Sequence, residues 1–434
     1  MANFSNRYLV EQEIENVELP RFFKVRQHFD AKTVENIPLE LHRQLSTREL
    51  YRRILPGQRV AITAGSRQIA NMPQILKAIA DAVRSRGAHP FIIPAMGSHG
   101  GATAQGQKDI LLHYGITEES TGCEILSCME VNEIGRTQEG LPVYCSRTLC
   151  EQADAIILCN RIKAHPGLAG NIQSGLTKIS VIGCGKQKGA AICHRAGMAH
   201  MQERLVEMSR IMIEKMPVIF GVGILENAYD QTAELHCIPA ECIAQEEPPL
   251  LKKAYSYLPR LIPDDLDVLF VDWVGKNISG VSADPAVTLR YLEPMKIAQN
   301  TRKPPKVFVM GDLTDESVGA GSGIGQADIV TQRLYEKVDF GKTYINAMTS
   351  TFLLNSRLPI VMKNDAYALK LAVRTCNAKD PERPRILRIR NTLDVAEIYA
   401  SEVLLPEVLA HPQMELLTQP EPLCFDPDGN LLKF

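Results

Sequence analysis

The sequence lacks any long apolar run. No stretch approaches the roughly 20 consecutive apolar residues that a membrane-spanning helix needs. Residues 1–20 carry charges throughout and have no apolar core, so they do not resemble a secretory signal peptide. We therefore expect a cytoplasmic protein without a membrane partner.

An excess of charge of one sign is also missing. The 48 lysines and arginines nearly balance the 50 aspartates and glutamates, which leaves a formal net charge of −2. Proteins that bind nucleic acid usually present a basic surface. The composition therefore indicates no nucleic-acid partner.

Common patterns for structural metals and disulfides are absent as well. The chain has 11 cysteines, but none stands in a Cys-x-x-Cys pair, and there is no His-Glu-x-x-His segment. This argues against a zinc ribbon and a disulfide framework. Most of the cysteines are expected to be small, buried apolar residues.

What the sequence does contain is an alternation of short β-branched runs with helical segments. Strands are predicted at 59–63, 90–95, 154–159 and 179–183, with helices between most of them. Strands that are apolar on both faces and separated by helices indicate a parallel sheet covered by helices. We therefore predict an α/β fold whose first domain is Rossmann-like with a mostly parallel sheet.

A second alternation follows the proline-containing polar segment 245–267 and predicts a smaller α/β domain. Helices are expected there at 324–337 and 395–409. The active site is expected in the cleft between the two domains. The predicted divisions are an N-terminal domain, a C-terminal domain and a tail, at 1–262, 263–411 and 412–434.

Four glycine-rich loops follow predicted strands, which is where open α/β sheets bind ligands. None matches a P-loop or the full dinucleotide fingerprint, so neither an ATPase nor an ordinary NAD enzyme follows from them. The loops lie at 64–67, 96–103, 160–170 and 183–189.

Three of these loops contain side chains suited to acid–base chemistry or anion binding. His99 lies close to glycines, and an imidazole is a natural proton shuttle. His165 follows a strand beside Lys163, and Arg67 could hold a carboxylate or phosphate through its planar guanidinium. Each could instead be a turn or surface residue, and His194 alone would more often be structural. The residues themselves predict a basic, glycine-lined cleft for a small anion and proton transfer.

A set of motifs resembles the lactate racemase family, the isomerases that depend on a nickel-pincer nucleotide. His165, the run 174–178 (SGLTK) and His194 resemble its cofactor site. Residues 97–99 (GSH) are similar to its Gly-Thr-His loop, and 66–67 (SR) to its Thr-Arg loop. The ordered set covers most of the chain and is most similar to a less studied branch of the family.

The resemblance implies a pyridinium mononucleotide whose two sulfur-containing arms and a ring carbon hold nickel. Lys178 would be the tether of one arm, and His194 would complete the nickel coordination. Gly97 and Ser98 would contact the cofactor. Cofactor-building enzymes would be needed to load the site.

Two other lysines rival Lys178 as the tether. Lys186 and Lys188 lie further along the same segment and could alternatively bind the cofactor phosphate. Lys178 is preferred because the family places the tether between a Ser-Gly turn and a strand.

The resemblance further implies racemisation or epimerisation of a 2-hydroxy acid by proton-coupled hydride transfer. His99 and His165 would be the acid–base pair on opposite faces of the substrate. Arg67 and Lys276 would hold the substrate carboxylate or the cofactor phosphate.

Two departures from the lactate racemase prototype lie around the substrate. Gly100 stands where the prototype has an arginine, and the stretch between His165 and Lys178 is longer. A hydroxy acid that is bulkier or more polar than lactate is therefore at least as well supported as lactate itself.

Two other classes of function remain as alternatives. A metal-dependent hydrolase would use His99, His165 and His194 as ligands around one ion with an open position for water. A non-catalytic protein would only bind a nucleotide or cofactor. The oligomeric state is left open, with a homo-oligomer as one option.

Overall fold

The computed structural model describes residues 7–165, 168, 170–195, 200–292, 302–350 and 352–434. The chain divides into two compact units. We call Asp30–Leu258 the N-terminal unit, and Pro259–Phe434 together with Met1–Phe29 the C-terminal unit.

The strands, in chain order, are β1 Phe22–Gln27, β2 Arg59–Ala64, β3 His89–Pro94, β4 Glu124–Ile125, β5 Val131–Arg136, β6 Pro142–Ser146, β7 Ala155–Arg161, β8 Val218–Glu226, β9 Thr232–Pro239, β10 Val268–Val274, β11 Val307–Leu313, β12 Ile329–Thr331, β13 Ile360–Met362, β14 Ile386–Ile389, β15 Glu397–Ser401 and β16 Met414–Leu416. The α-helices are α1 Arg7–Ile14, α2 Ile37–Thr47, α3 Met72–Arg84, α4 Ala104–His113, α5 Glu118–Thr121, α6 Arg147–Gln152, α7 Leu176–Lys178, α8 Lys186–His194, α9 Met201–Lys215, α10 Ile243–Tyr257, α11 Pro285–Thr288, α12 Gln332–Lys337, α13 Phe340–Ser350, α14 Asp365–Thr375 and α15 Leu405–Ala410.

The main sheet of the N-terminal unit has six strands in the order β4-β3-β2-β7-β8-β9. Its neighbours pair in parallel except β8 and β9. Successive residues of β2 alternate between two buried clusters, with Val60 and Ile62 on one face and Ala61 on the other. Both faces are therefore covered, as the apolar strands predicted. The α/β class with a Rossmann-like, mostly parallel first sheet is confirmed.

One predicted strand of this unit is wrong. Residues 179–183 form a π-helical segment, Ile179–Gly183, that joins α7 to α8. Its apolar residues pack into the core on several sides, and a fully buried helix has the same continuous apolar pattern as a buried strand. We call the resulting helical run, residues 176–194, the Lys178 helix.

A buried carboxylate fastens three parts of the N-terminal unit together. The side chain of Glu234 in β9 is 7% exposed and lies within 2.8 Å of nitrogen or oxygen donors on Lys32, His236, Lys253 and Tyr257. Burial alone would raise the pKa of Glu234, but these hydrogen bonds outweigh it and lower the pKa to about 2. The carboxylate therefore helps to hold the start of this unit against β9 and α10.

The C-terminal unit contains an eight-stranded sheet in the order β13-β12-β11-β10-β14-β15-β1-β16. The strands from β13 to β14 are parallel, and those from β14 to β16 pair antiparallel. Two predicted helices are shorter than expected, because β12 and β15, which contain β-branched and aromatic residues, are strands that precede α12 and α15. The expected second α/β domain is nevertheless present.

The predicted domain boundaries need two corrections. The division after Leu258 lies close to the expected one at 262, but residues 1–29 belong to the C-terminal unit because β1 pairs with both β15 and β16. The tail 412–434 is not separate, since β16 closes that sheet and Leu431 packs against its core. Long-range strand pairing decides both points.

Among the described residues, no helix is long and apolar enough to cross a membrane.

Candidate active site

The loops at the carboxyl ends of three neighbouring parallel strands form the candidate site in the N-terminal unit. β2 leads into the loop with Arg67, β3 into the loop with His99, and β7 into the segment with His165. Because these strands are parallel neighbours, their ends meet at one edge of the sheet. This is the edge that the glycine-rich loops predicted.

Five basic side chains converge here: Arg67, Lys163, His165, Lys178 and His194. We call them the basic cluster. Burial first, and then the charges of Lys178, Lys163, His194 and Arg67, lower the pKa of His165 well below its usual value. The structure therefore brings predicted substrate-side and cofactor-side residues together.

The Lys178 amine of this cluster has a strongly lowered pKa. Burial is the main cause that lowers its pKa to about 7, and the charges of Arg67 and Lys163 act in the same direction. About half of the amine is therefore uncharged near neutral pH. Such an amine can act as a nucleophile.

His194 lies at the end of the Lys178 helix and reaches solvent. The surrounding protein and the charge of Lys178 lower its pKa, so its imidazole is neutral at neutral pH. A neutral imidazole with an accessible nitrogen is a good ligand for nickel or zinc.

The start of the Lys178 helix is capped from a distant helix. Its N-cap is Gly175, which has no side chain to offer. The backbone nitrogen and Oγ1 of Thr177 donate to Oε2 of Glu247 at 2.8 and 2.7 Å. A Cβ on Gly175 would lie 2.1 Å from Oε1 of Glu247, so any larger residue there would have to displace the Glu247 carboxylate. Two residues of the SGLTK run are thereby explained.

The segment with His165 is fixed at both ends. The backbones of Lys163 and Ser174 pair as an antiparallel bridge, which closes the loop between them. The backbone N–H of His165 donates to Oε1 of Gln173 at 2.7 Å, and Nε2 of Gln173 donates to the hydroxyl of Tyr255 at 2.9 Å. The described ends of this longer stretch are therefore joined to each other next to His165.

A buried carboxylate joins two of the site loops. Oε1 of Glu226, at the end of β8, accepts the backbone N–H of Ala70 at 2.6 Å in the Arg67 loop. Oε2 forms an ion pair with Arg161, at the end of β7. The side chain of Glu226 is 6% exposed, so this link is largely shielded from water.

The loop with His99 packs against the Lys178 helix. Gly97 is buried, and a Cβ there would lie 3.1 Å from Cβ of Ala190 and 3.4 Å from Cγ2 of Ile182. Ser98 and His99 are exposed beyond this contact. His99 is not one of the main causes of the lowered pKa values of His165, Lys178 and His194.

Residues 10–205 match the family model described as the lactate racemase N-terminal domain. This part of the chain is lactate racemase-like. The matched range contains the whole basic cluster. The lactate racemase-like family predicted from the motifs is confirmed.

A solved structure of the lactate racemase apoprotein from Thermoanaerobacterium thermosaccharolyticum is similar at 14% sequence identity, with a TM-score of 0.41. The match covers 58% of this chain and 66% of that one, slightly less than two thirds of its length. No curated protein matches the chain.

The two rival lysines of this lactate racemase-like domain have other contacts. Lys186 is 1% exposed, and its amine donates to the backbone oxygen of Pro94 and to Oε1 of Gln107 at 2.9 Å. Burial lowers the pKa of Lys186 to about 8. Lys188 is exposed, with its amine 4.4 Å from the ring centre of Tyr144. The idea that Lys186 binds phosphate is wrong, because its amine is enclosed and already hydrogen-bonded.

Lys276, the other predicted carboxylate or phosphate ligand, lies in the C-terminal unit after β10. Its backbone nitrogen donates to Oγ of Ser317 at 2.8 Å, and its amine to the carbonyl of Gly280 at 3.3 Å. Its role at the site stays a prediction.

Among the described residues, no three His, Cys, Asp or Glu side chains form a group that could hold a metal ion. His99, His165 and His194 all belong to this described part. The hydrolase alternative needs all three around one ion, so the geometry does not support it in that form.

Glu226 and Glu247 were missed by sequence reasoning. Glu226 had a signal, because it is the one charged residue at the end of the apolar run VIFGVGILE. Glu247 had none, since its segment EEPP resembles a linker but forms the first half of α10, with Pro248 and Pro249 inside the helix.

Proposed function

We propose that the protein is a racemase or epimerase of a 2-hydroxy acid that works with a nickel-pincer nucleotide tethered to Lys178. The main support is the basic cluster around an amine of pKa about 7, inside a lactate racemase-like N-terminal domain. A lysine of ordinary pKa would be almost fully protonated at neutral pH and would attack an acyl group far more slowly.

The residues present fit such a cofactor. Lys178 offers a nucleophilic amine for the covalent bond, and His194 offers a neutral imidazole for nickel. A single histidine suffices when the organic group supplies the other nickel ligands. Gly97 and Ser98 would lie along the cofactor, and Lys163 is a further cation for its phosphate.

The bound cofactor would supply the acceptor and donor of the substrate hydride. The protein's own residues would position the substrate and move its hydroxyl proton. His165 is neutral because of its lowered pKa, so it can accept that proton. His99 would do the same on the opposite face. Arg67 would bind the carboxylate through its guanidinium.

The substrate is proposed to differ from lactate. Gly100 has a φ of +66°, and a Cβ there would lie 2.3 Å from the backbone of Gly106. The prototype's arginine therefore has no place in this backbone, which leaves more room and less charge beside His99. A larger or more polar 2-hydroxy acid would use that room.

The test is expression together with cofactor-building enzymes, followed by intact mass, nickel content and a chiral assay on a panel of 2-hydroxy acids. Modified Lys178, one nickel per chain and interconversion of enantiomers are expected, and a Lys178→Ala control should lose all three. An unmodified Lys178 with another metal bound would contradict the proposal. A modified Lys178 without turnover of any substrate would favour the non-catalytic alternative.

The proposal also implies where the protein works and with which partners. It would share the cytoplasm with the cofactor-building enzymes, which act as its transient partners. Size-exclusion chromatography with light scattering would decide between a monomer and a homo-oligomer.

A further inference from the structure

We propose that Glu247 is the positioning residue that fixes Lys178 at the start of its helix. The inference rests on the proposed function for the role of Lys178, and it adds a residue from a helix that lies outside all of the site motifs.

The start of a helix leaves N–H groups without partners inside the helix, and a side chain at the N-cap usually accepts one of them. Gly175 cannot do so. Glu247 takes over that function from α10, because its Oε2 accepts both the N–H and the hydroxyl of Thr177. Thr177 directly precedes Lys178, so this pair of hydrogen bonds sets where the Lys178 side chain leaves the backbone.

The same turn is held from the opposite side. Nδ2 of Asn160, in β7, donates to the carbonyl oxygen of Gly175 at 2.9 Å. The Glu247 side chain lies against Gly175 on its other face, at the distance where a Cβ would collide. The first turn is therefore clamped between β7 and α10.

A merely structural cap would need an acceptor here but not a negative charge. Glu247 is 1% exposed, and its Oε1 has no hydrogen-bond partner among the described residues. Burying such a group costs free energy, which the positive end of the helix dipole only partly offsets. A neutral glutamine could accept the same N–H without a buried charge, although through a weaker hydrogen bond. The costly arrangement stands directly before Lys178, which favours a role in placing that amine.

The test measures how readily the Lys178 amine is acylated at different pH values in the protein without cofactor, by peptide mass spectrometry. The test variant is Glu247→Gln. The matched control is Glu246→Gln, on the same helix as Glu247, which removes the charge that pairs with Arg48 at the surface. Lys77, with a side chain 53% exposed, serves as the internal reference.

Burial is the main cause of the low Lys178 pKa. A loosened first turn would let water reach the amine, which raises its pKa and therefore the midpoint of the acylation–pH profile. We expect Glu247→Gln to raise it by at least one pH unit, which slows labelling at pH 7 by about fivefold. Glu246→Gln should leave it unchanged. An unchanged or lower midpoint in folded Glu247→Gln overturns the proposal. If the carboxylate acted on Lys178 through its charge alone, its removal would lower the pKa of the amine and not raise it.

Thr177→Val provides a second variant if Glu247→Gln does not fold. It removes one of the two donors and should shift the midpoint in the same direction by a smaller amount. The double variant should shift it no more than Glu247→Gln alone, since both act through one contact. Additive shifts would contradict the inference. Failure of the unsubstituted protein to bind nickel cofactor would overturn the proposed function without changing this labelling result.

Discussion

The link between Glu226 and two site loops allows a prediction with a defined size. Glu226→Gln retains the shape of the side chain and one acceptor for the N–H of Ala70. It removes the negative charge opposite Arg161, whose side chain is 16% exposed. The Arg161 guanidinium is then left nearly buried without its hydrogen-bonded counter-charge. The carboxyl of Asp230, whose pKa is raised by burial and lowered in part by Arg161, remains as a nearby acidic group.

Leaving one member of a buried ion pair alone costs roughly 3–5 kcal/mol, and a retained hydrogen bond recovers part of that. We therefore expect the free energy of unfolding to fall by roughly 2–4 kcal/mol. For a domain of this size each kcal/mol lowers the Tm by roughly 2–4 °C. The matched control, Glu241→Gln, breaks an Arg–Glu pair whose glutamate is 60% exposed, and it should cost less than about 1 kcal/mol.

Urea unfolding of both variants measures the difference, and hydrogen exchange at the Ala70 amide measures the local effect. Exchange at Ala70 should become faster in Glu226→Gln and stay unchanged in Glu241→Gln. The double variant Glu226→Gln with Arg161→Gln should regain part of the lost stability, since no lone charge remains. Equal stability of the two single variants, together with unchanged exchange at Ala70, would refute the reasoning.

Three further predictions follow from buried groups of the N-terminal unit. Lys186→Met should lower the free energy of unfolding by roughly 1–3 kcal/mol, because two acceptors lose their donor. It should leave acylation of Lys178 unchanged, and altered acylation would give Lys186 a place in the site. Glu234 has a folded pKa of about 2, below its unfolded value, so its stabilisation is complete above about pH 4.5 and is lost as the pH falls toward 2. Urea unfolding at pH 7, 5 and 3 should show this loss, roughly 1–3 kcal/mol given the solvent around its lysine partners, and a Glu234→Gln variant should lack this part of the pH dependence. Gly175→Ala places a Cβ 2.1 Å from a Glu247 oxygen and should lower the Tm, whereas Gly280→Ala, with nothing within 4 Å, should not; equal melting temperatures would show that the Gly175 turn can shift freely.

Much of the fold was predictable because burial on both faces of a strand leaves a local signature. β2, β3 and β7 are short apolar runs bounded by turn residues, and each was predicted within a few positions of its true bounds. The error at 179–183 has the opposite origin. A helix that is buried on most sides has no amphipathic pattern, so its residues resemble a strand.

The site was predictable as a list of residues but not as an arrangement. The motifs named Arg67, His165, Lys178 and His194, and the structure places these four in one cluster. His99 lies in the next loop, exposed. The low pKa of Lys178 could not be predicted, because it depends on which side chains and how much protein surround the amine.

The sequence by itself determined the α/β class, the order of the site loops and the family to which its motifs belong, since these depend on local residue patterns. Only the tertiary structure decided that β1 joins the C-terminal sheet and that Glu226 and Glu247 hold the loops around Lys178. Both outcomes depend on contacts between segments far apart in the chain. Such contacts are set by the pairing of β1 with β15 and β16 and by the packing of β8 and α10, and no local pattern encodes either.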